Sequence, residues 1–210
     1  MTHRTTTPQN DLEAQFRAYG LVDIHDLAPE IGVELKYATP DNFTGRNLYG
    51  ALGKAYLVPE IAARVVAAQR ALCAARPGHR LLIYDAARPI GIQRFMYSLV
   101  AGTPQARYVA DPETGGYHNY GVAVDLTIAG PDGRPLDMGC PFDCFDPISH
   151  VGHEEEYVAC GQMSREALAN RRQLAALMTD AGFTQNPDEW WHFQRYTPDE
   201  LRRRFRLLDF

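Results

Sequence analysis

The stretch from Gly121 to Ile128 constrains the fold of this chain more than any other part of the sequence. Branched apolar residues take the even positions from Val122 onward, while the odd positions hold small residues and one acid, Asp125. Alternation with a period of two predicts a β-strand with one face in the core. Small side chains on the other face leave room above the strand, so Asp125 is expected in a cavity rather than in bulk water.

His118 precedes Asp125 by seven positions, an odd spacing that places it on the wrong face of an unbroken strand. The chain must therefore bend between the two residues, and Gly121 can supply the bend. Imidazole nitrogen and carboxylate oxygen together suit a borderline metal such as zinc. Two ligands do not define a site, so a surface histidine before an ordinary strand stays open as the alternative.

Length and composition indicate one domain with a sizeable core, since 210 residues include 45% hydrophobic and 22% charged residues. A net charge of −5 argues against a nucleic-acid partner. We see no signal peptide and no apolar run long enough to span a membrane, so we expect a cytoplasmic protein with reduced cysteines. Residues 1–15 are predicted to be flexible and residues 16–210 to form the domain. The oligomeric state is left open.

A second stretch of interest follows the buried strand predicted over Arg80 to Tyr84. Arg88 precedes a proline, which disfavours helical conformation and holds the residue extended. A guanidinium fixed at a strand end can stabilise a developing oxyanion. The alternative, that Arg88 ties down a turn through Asp85, is equally consistent with the sequence.

The third stretch runs from Glu189 through Trp190 and Trp191 to His192, and its aromatic residues favour an extended segment. Glu189 and His192 are three positions apart and would not share a face of a regular strand, so a turn is needed at the strand's entry. A glutamate beside a histidine ligand suits removal of a proton from a metal-bound water. An aromatic core strand with a hydrogen-bonded histidine is the alternative.

Other potential ligands are weaker candidates. His25 lies in a short alternating stretch, where a lone histidine is more often structural. The segment 149–156 contains two histidines and three glutamates, but acidic loops without an apolar framework are usually solvated. After the central strand, the turn signal at 130–133 predicts a hairpin, with 136–142 returning as a loop or an edge strand.

These stretches belong to a set of motifs spread over nearly the whole chain. In chain order they are Lys36-Tyr37-Ala38-Thr39 with Asn42-Phe43-Thr44-Gly45, Tyr84-Asp85-Ala86-Ala87-Arg88-Pro89, His118-x-x-Gly121-x-Ala123-x-Asp125-Leu126-Thr127, Met138-Gly139 with Phe142-Asp143, and Glu189-Trp190-Trp191-His192. Together they resemble the zinc-dependent D-alanyl-D-alanine dipeptidases, within the larger family of zinc D,D-carboxypeptidases.

The resemblance implies an α+β fold with a small, largely antiparallel sheet and helices packed against it, and a metallopeptidase that splits D-Ala-D-Ala by attack of a zinc-bound water. One catalytic zinc ion per chain is implied. The implied site residues are His118, Asp125 and His192 as zinc ligands, Glu189 as general base and acid, Arg88 as the residue that steadies the tetrahedral intermediate, and Asp143 and Tyr37 as the lining of the dipeptide pocket.

Two rival functions remain open at this level. One is a zinc D,D-carboxypeptidase that trims peptidoglycan stem peptides, and the other is a non-catalytic, zinc-stabilised binding module. The presence of both Glu189 and Arg88 counts against the binding module. The chain also departs from the family at Gly116, where a serine is usual two residues before the first ligand, and Tyr117 follows it. This departure bears on substrate preference more than on metal binding.

Overall fold

The computed structural model describes residues 10–210, which leaves residues 1–9 of the predicted flexible terminus outside the described part. Residues 10–15 belong to the first helix. The helices are α1 (Asn10–Ala18), α2 (Pro59–Ala75), α3 (Ile90–Val100), α4 (Glu154–Ala159), α5 (Arg165–Asp180) and α6 (Pro198–Arg204). The strands are β1 (Val22–Asp23), β2 (Gly32–Val33), β3 (Tyr56–Leu57), β4 (Arg80–Asp85), β5 (Ala123–Ala129), β6 (Thr184–Gln185) and β7 (His192–Gln194).

Five of the strands form one sheet in the order β2-β4-β5-β7-β6, and β1 pairs with β3 in a separate two-stranded sheet. Only the β2–β4 pair is parallel, and the other pairs are antiparallel. The predicted α+β architecture with a small, largely antiparallel sheet is therefore confirmed.

The central strand β5 is buried along its whole length, and its even-numbered residues face the main core. Helices α2 and α5 pack against β4 and β5 on this face and contact each other. Val65 and Leu72 of α2 and Leu174 of α5 are fully buried there. Because the helices cover one face of the sheet, the opposite face is free to line cavities, and this is the face that carries Asp125.

The ends of the helices follow local sequence signals. Pro59 opens α2, where its missing N–H costs nothing. The Ser164 hydroxyl accepts a hydrogen bond from the Ala167 backbone N–H at 2.9 Å and caps α5. Thr197 and Glu200 form a reciprocal capping box at the start of α6.

The structure decides between the two forms predicted for residues 136–142 and shortens the predicted aromatic strand. Residues 136–142 form a loop. The Leu136 N–H donates to the Ile128 carbonyl at 2.8 Å, but Pro135 just before the loop and Pro141 within it cannot donate to a ladder. The aromatic segment is extended only from His192, because the turn that begins after Asn186 continues through Trp191. The predicted turn at the entry of this strand is therefore present, and longer than expected.

The C-terminal segment after α6 ties two parts of the fold together. The Leu208 N–H donates to the Asn119 carbonyl at 2.8 Å, and the Ile90 N–H donates to the Leu208 carbonyl at 2.8 Å. The Leu208 side chain is fully buried. This segment thus fixes the start of α3 against the 3-10 turn Tyr117–Tyr120. Among the described residues, no helix combines the length and the apolar character needed to cross a bilayer.

Candidate functional site

His118 lies in the 3-10 turn Tyr117–Tyr120, directly before β5. Gly121 ends this turn with φ of +68°, a left-handed conformation that favours glycine, and so supplies the predicted bend. The Nδ1 atom of His118 donates to the Ala86 carbonyl at 2.7 Å. Because a carbonyl only accepts, the hydrogen of the imidazole is on Nδ1, and Nε2 presents a lone pair to the cavity.

Asp125 and His192 are direct partners in the antiparallel pairing of β5 with β7, so both side chains rise from the same face of the sheet. Nδ1 of His192 lies 2.9 Å from Oδ1 of Asp125. The other ring nitrogen of His192, Nε2, lies 2.9 Å from the side-chain oxygen of Gln194, to which it donates. His192 therefore also turns a lone pair toward Asp125.

The metal cluster, as we call His118, Asp125 and His192, brings three electron-pair donors to one point. Nε2 of His118 lies 3.1 Å from Nδ1 of His192 and 3.3 Å from Oδ1 of Asp125. Ligands bound to zinc at about 2.0–2.1 Å in a tetrahedron lie roughly 3.3 Å apart. All three side chains are buried, and such lone pairs need a cation or a proton between them. The donor set and its spacing fit zinc.

The Asp125 carboxylate favours a positive charge on or between the groups of the metal cluster. Burial lowers the pKa of the His118 imidazole, but the adjacent Asp125 carboxylate raises it above its usual value. Burial raises the pKa of Asp125, but the neighbouring imidazoles lower it below its usual value. The negative charge on Asp125 is thus stabilised by positive charge at His118 and His192.

Glu189 borders the metal cluster from the turn that precedes β7. Its Oε2 lies 3.8 Å from Nδ1 of His192 and accepts a hydrogen bond from the Asn186 amide at 2.7 Å. The side chain is 12% exposed. Burial raises the pKa of Glu189 to about 7, with His192 opposing and Asp125 assisting the shift. Glu189 is therefore poised to exchange a proton near neutral pH.

Arg88 forms the ion pair that the sequence analysis left open. Its Nε and Nη2 atoms donate to Oδ2 of Asp85 at 3.0 and 2.5 Å, and Nη1 donates to Gln93 at 2.8 Å. The Asp85 carboxylate also accepts from the Tyr49 hydroxyl at 2.7 Å. Arginine has five N–H donors, so two of them remain free of these partners.

Arg88 also lines the same cleft as the metal cluster. Burial lowers its pKa, but Asp85 and the nearby tyrosines raise it well above its usual value, so the guanidinium stays charged. Its backbone N–H donates to the His118 carbonyl at 3.0 Å. The structural role and the proposed catalytic role are therefore compatible in one residue.

Asp143 and Tyr37 come together in the same cleft. The Tyr37 hydroxyl donates to Oδ1 of Asp143 at 2.8 Å, and the Phe43 N–H donates to Oδ2 at 3.2 Å. Asp143 has φ of +59°, in the left-handed region, where aspartate is one of the better tolerated residues. Burial raises its pKa to about 7, although both hydrogen bonds lower it.

All seven residues singled out by the sequence line one cleft of about 170 Å³. This volume is below the roughly 300–1,000 Å³ typical of pockets for drug-sized ligands, so the cleft suits a small substrate. Arg107 also lines the cleft, and its guanidinium pairs with both oxygens of Asp188 at 2.9 Å.

The glycine at 116 has a steric explanation. A Cβ atom placed there would lie 2.7 Å from the Cβ of Ala110, closer than real contacts allow. The segment that follows the 3-10 turn Pro104–Tyr108 thus occupies the space that a serine side chain would need. Tyr117 and Gly116 both line the cleft.

The rival ligand stretches lie apart from the cleft. Nε2 of His25 is 2.8 Å from the Ile31 carbonyl and donates to it. In the segment 149–156, His153 is an exposed residue that contacts Glu156, and the three glutamates start α4. Within residues 10–210, the metal cluster is the only group of three or more ligand side chains that could hold an ion.

Sequence reasoning did not identify the residues that orient the site. Gln93 and Gln194 hold Arg88 and His192 through side-chain oxygens, and the Ala86 carbonyl fixes the tautomer of His118. Mutation of a residue that orients a metal ligand typically costs about 10- to 100-fold in metal affinity or activity. Gln194 could have been predicted, because it lies two residues after His192 and so on the same face of the strand. The Ala86 carbonyl could not, because a backbone group leaves no signal in the sequence.

Comparison with known proteins bears directly on this site. The profile of peptidase family M15, described as D-ala-D-ala dipeptidase, matches residues 17–207. The D-alanyl-D-alanine dipeptidase of Escherichia coli K12 is 36% identical over 83% of this chain and 83% of its own length. The dipeptidase of Streptomyces coelicolor is 33% identical over 81% and 88%, and that of Enterococcus faecium is 29% identical over 83% and 90%.

Among solved structures, a zinc-bound mutant of the vancomycin resistance D,D-pentapeptidase VanY covers 73% of this chain and 79% of its own, with 17% identity and a TM-score of 0.36. A likeness at this level carries no argument about the chain.

Proposed function

Because this chain belongs to peptidase family M15, the D-Ala-D-Ala dipeptidases, we propose that it is a zinc metallopeptidase that hydrolyses the free dipeptide D-Ala-D-Ala to two molecules of D-alanine. The observation that carries the proposal is the meeting of the metal cluster with Glu189 and Asp143 in one small cleft.

The metal of the proposed reaction is one zinc ion held by His118, Asp125 and His192. Two neutral imidazoles and a carboxylate are ligands that zinc prefers, and three protein ligands leave a position for a reactant. Zinc bound there supplies Lewis acidity, which polarises a carbonyl and makes water a better nucleophile near neutral pH.

Glu189 acts as the base in this proposal. Its carboxylate borders the metal cluster without belonging to it, within reach of a water held at the site. It takes a proton from the water as the peptide carbonyl is attacked, and returns the proton to the leaving amine. A pKa near 7 suits a group that must first accept a proton and then donate it.

Arg88 stabilises the oxyanion that develops on the peptide carbonyl. Three of its N–H groups are fixed by Asp85 and Gln93, which holds the guanidinium in one orientation before the substrate arrives. The remaining N–H groups are then available to the substrate oxygen. A donor that needs no reorganisation during the reaction is the most effective kind.

Asp143 and Tyr37 bind the α-ammonium group of the dipeptide. The ammonium ion would lower the pKa of Asp143 and take the carboxylate as its counter-ion inside the cleft. A substrate without this charge leaves the carboxylate desolvated and unpaired, which penalises its binding strongly. The proposal therefore predicts a preference for free dipeptides over blocked ones.

The test compares D-Ala-D-Ala, L-Ala-L-Ala and N-acetyl-D-Ala-D-Ala as substrates of the zinc-loaded protein. We expect D-alanine release from the free D,D-dipeptide only, with the blocked dipeptide at least about a hundredfold slower, since removing one partner of a buried charge pair costs about 3 kcal/mol or more. Asp143→Ala should narrow the difference by slowing the free dipeptide. Equal rates on free and blocked substrates would instead favour the carboxypeptidase.

The carboxypeptidase alternative has its own discriminating substrate. A pentapeptide stem ending in D-Ala-D-Ala should stay intact under conditions in which the free dipeptide is consumed. The cytoplasmic location predicted from the sequence belongs to the same proposal, and the four cysteines are free thiols, as a reducing compartment would have them.

A further inference from the structure

The side chain of Asn119, the residue that follows His118 of the metal cluster, is fully buried and uses both ends of its amide. Its Oδ1 accepts from the Gly116 N–H at 2.8 Å, and its Nδ2 donates to the Arg88 carbonyl at 2.8 Å. A backbone N–H only donates and a carbonyl only accepts, so these partners leave one possible orientation for the amide. Asn119 therefore joins the turn that carries His118 to a residue 31 positions earlier in the chain.

The backbone of Asn119 is engaged as well. Its N–H donates to the Gly116 carbonyl at 2.9 Å, and its carbonyl accepts from the Leu208 N–H at 2.8 Å. The Leu208 carbonyl in turn accepts from the Ile90 N–H at 2.8 Å, at the start of α3. Asn119 is thus tied to the segment 88–90 twice, directly through its amide and indirectly through the C-terminal segment.

Arg88 lies beyond the end of the sheet, where the strand ladder no longer holds the backbone. The pairing of β4 with β5 ends at Asp85, opposite Asp125. Asp85 and Gln93 orient the guanidinium of Arg88, and both belong to the same stretch of chain as Arg88 itself. The backbone from which the guanidinium projects therefore needs partners from another part of the fold.

The turn that carries His118 supplies such partners. The Arg88 N–H donates to the His118 carbonyl at 3.0 Å, and the Asn119 amide donates to the Arg88 carbonyl. Nδ1 of His118 also donates to the Ala86 carbonyl at 2.7 Å. Among these three links, only that of Asn119 is made by a side chain outside the metal cluster, so a mutation can remove it without touching a ligand.

We propose that Asn119 is a positioning residue that fixes Arg88 relative to the metal cluster, so that the guanidinium meets the oxyanion of the substrate. The inference rests on the proposed function, because it assigns a task to the residue that stabilises the oxyanion. A carboxamide suits both partners of Asn119, since it carries a donor and an acceptor in one plane. A misplacement of about 1 Å in an active site can cost about a hundredfold in rate.

Asn119→Leu removes the amide and keeps the branching of the side chain. It should retain zinc and lower kcat for D-Ala-D-Ala by roughly 10- to 100-fold with KM within about twofold of wild type, because Arg88 acts on the oxyanion rather than on the bound substrate. Asn170→Leu is the matched control, since Asn170 is also buried and donates to the Asp137 carbonyl at 3.0 Å, but lies in α5 outside the cleft. It should have the wild-type kcat.

A double-mutant cycle separates positioning from a general structural role. In the Arg88→Met/Asp85→Asn background, Asn119→Leu should lower kcat no further, because a residue that acts through Arg88 has nothing left to position. Losses that multiply would show that Asn119 acts elsewhere and would overturn the proposal. If Asn119→Leu does not fold, Asn119→Ser takes its place, since serine is smaller and keeps an acceptor.

A measurement without substrate keeps this test separate from that of the proposed function. The pseudocontact shift of the Arg88 Nε–H, taken between the cobalt(II)-loaded and the zinc-loaded protein and assigned with Arg88→Met, reports the position of the guanidinium relative to the metal. Asn119→Leu should change this shift, and Asn170→Leu should leave it unchanged.

An unchanged shift in Asn119→Leu, or loss of the metal from this variant, would overturn the proposal. If the shift changes as expected but the wild-type protein does not split D-Ala-D-Ala, the positioning of Arg88 by Asn119 stands and the proposed function fails.

Discussion

The two walls of the catalytic cleft are built in different ways. The metal cluster stands on strand β5, on its neighbour β7 and on the turn fixed by Gly121, so hydrogen-bonded register sets the distances between its atoms. The second part of the lining, which we call the loop wall, consists of Tyr37, Phe43 and Asp143. Two hydrogen bonds join it, and the Asp143 carboxylate accepts both from the segment 37–43. Regular backbone thus positions the metal cluster, and loops position Tyr37 and Asp143, the proposed substrate-binding residues.

The metal cluster and the loop wall therefore meet different geometric requirements. Metal ligands must keep their spacing to within a few tenths of an ångström, which a sheet provides. A substrate-binding wall can change with the loops that carry it, while the sheet stays the same. The steric requirement at Gly116 is likewise set by a loop, because it depends on how closely the segment that contains Ala110 approaches.

The strongest test of the comparison is removal of a ligand on the strand side. His192→Ala should reduce the zinc content from about one ion per chain to near zero and abolish dipeptide hydrolysis. The reason is that the two remaining ligands, His118 and Asp125, do not suffice to hold the ion. His153→Ala, at an exposed histidine outside the cleft, is the matched control. Metal analysis after gel filtration gives the answer, and unchanged zinc in His192→Ala would show that the metal lies elsewhere.

The next largest effect is expected at Glu189, in the turn before β7. Glu189→Gln, which keeps the shape of the side chain, should retain zinc but lower kcat by roughly 10²–10⁴, the usual contribution of a general base. Glu113→Gln, at an exposed surface position, should have the wild-type rate. Loss of zinc from Glu189→Gln would place this carboxylate among the ligands.

Arg88 separates structural from catalytic effects. Arg88→Met leaves the Asp85 carboxylate buried and unpaired, so we expect a loss of about 3–5 kcal/mol in the free energy of unfolding together with a fall in kcat/KM. Adding Asp85→Asn should recover much of the stability but not the activity. Urea unfolding and steady-state kinetics measure both, and recovery of the activity along with stability would leave Arg88 a purely structural residue.

The smallest effect concerns the loop wall and pH. Because burial raises the folded-state pKa of Asp143 to about 7, above its unfolded value, the folded protein binds the proton more tightly. The cost of ionising Asp143 is absent at pH below about 4 and grows as the pH rises to about 7. Asp143→Asn should therefore gain roughly 1–3 kcal/mol of stability relative to wild type between pH 5 and pH 8.

Urea unfolding of the substrate-free protein across this range measures that gain. Asp41→Asn, at an exposed aspartate, should show no such trend. A gain that is independent of pH would mean that Asp143 keeps its ordinary pKa.

The same division explains what the sequence could predict. The alternation in β5, the bend at Gly121 and the need for a turn before His192 follow from local periodicity, and they bring two ligand stretches onto one sheet face. The pairing of Tyr37 with Asp143 joins residues 106 positions apart through loops, and no local rule predicts it. The family resemblance implies only that both residues line the dipeptide pocket.

The aromatic strand was predicted too long, because local propensity does not account for the surrounding structure. The aromatic residues Trp190 and Trp191 have high strand propensity, but the turn that places Glu189 beside His192 takes precedence over it. The segment 136–142 takes the loop form, one of the two that the sequence predicted, and Pro141 within it cannot donate a ladder hydrogen bond.

The separation of the ligands along the chain has a consequence for the order of events in folding. His118 and His192 are 74 positions apart, and β5 must pair with β7 before their ring nitrogens meet. Contacts of such high sequence separation form late, because the entropy of closing the intervening loop has to be overcome first. Stopped-flow measurements should therefore find that zinc slows unfolding and leaves the refolding rate nearly unchanged. The ion would then add kinetic stability to a chain that has already folded.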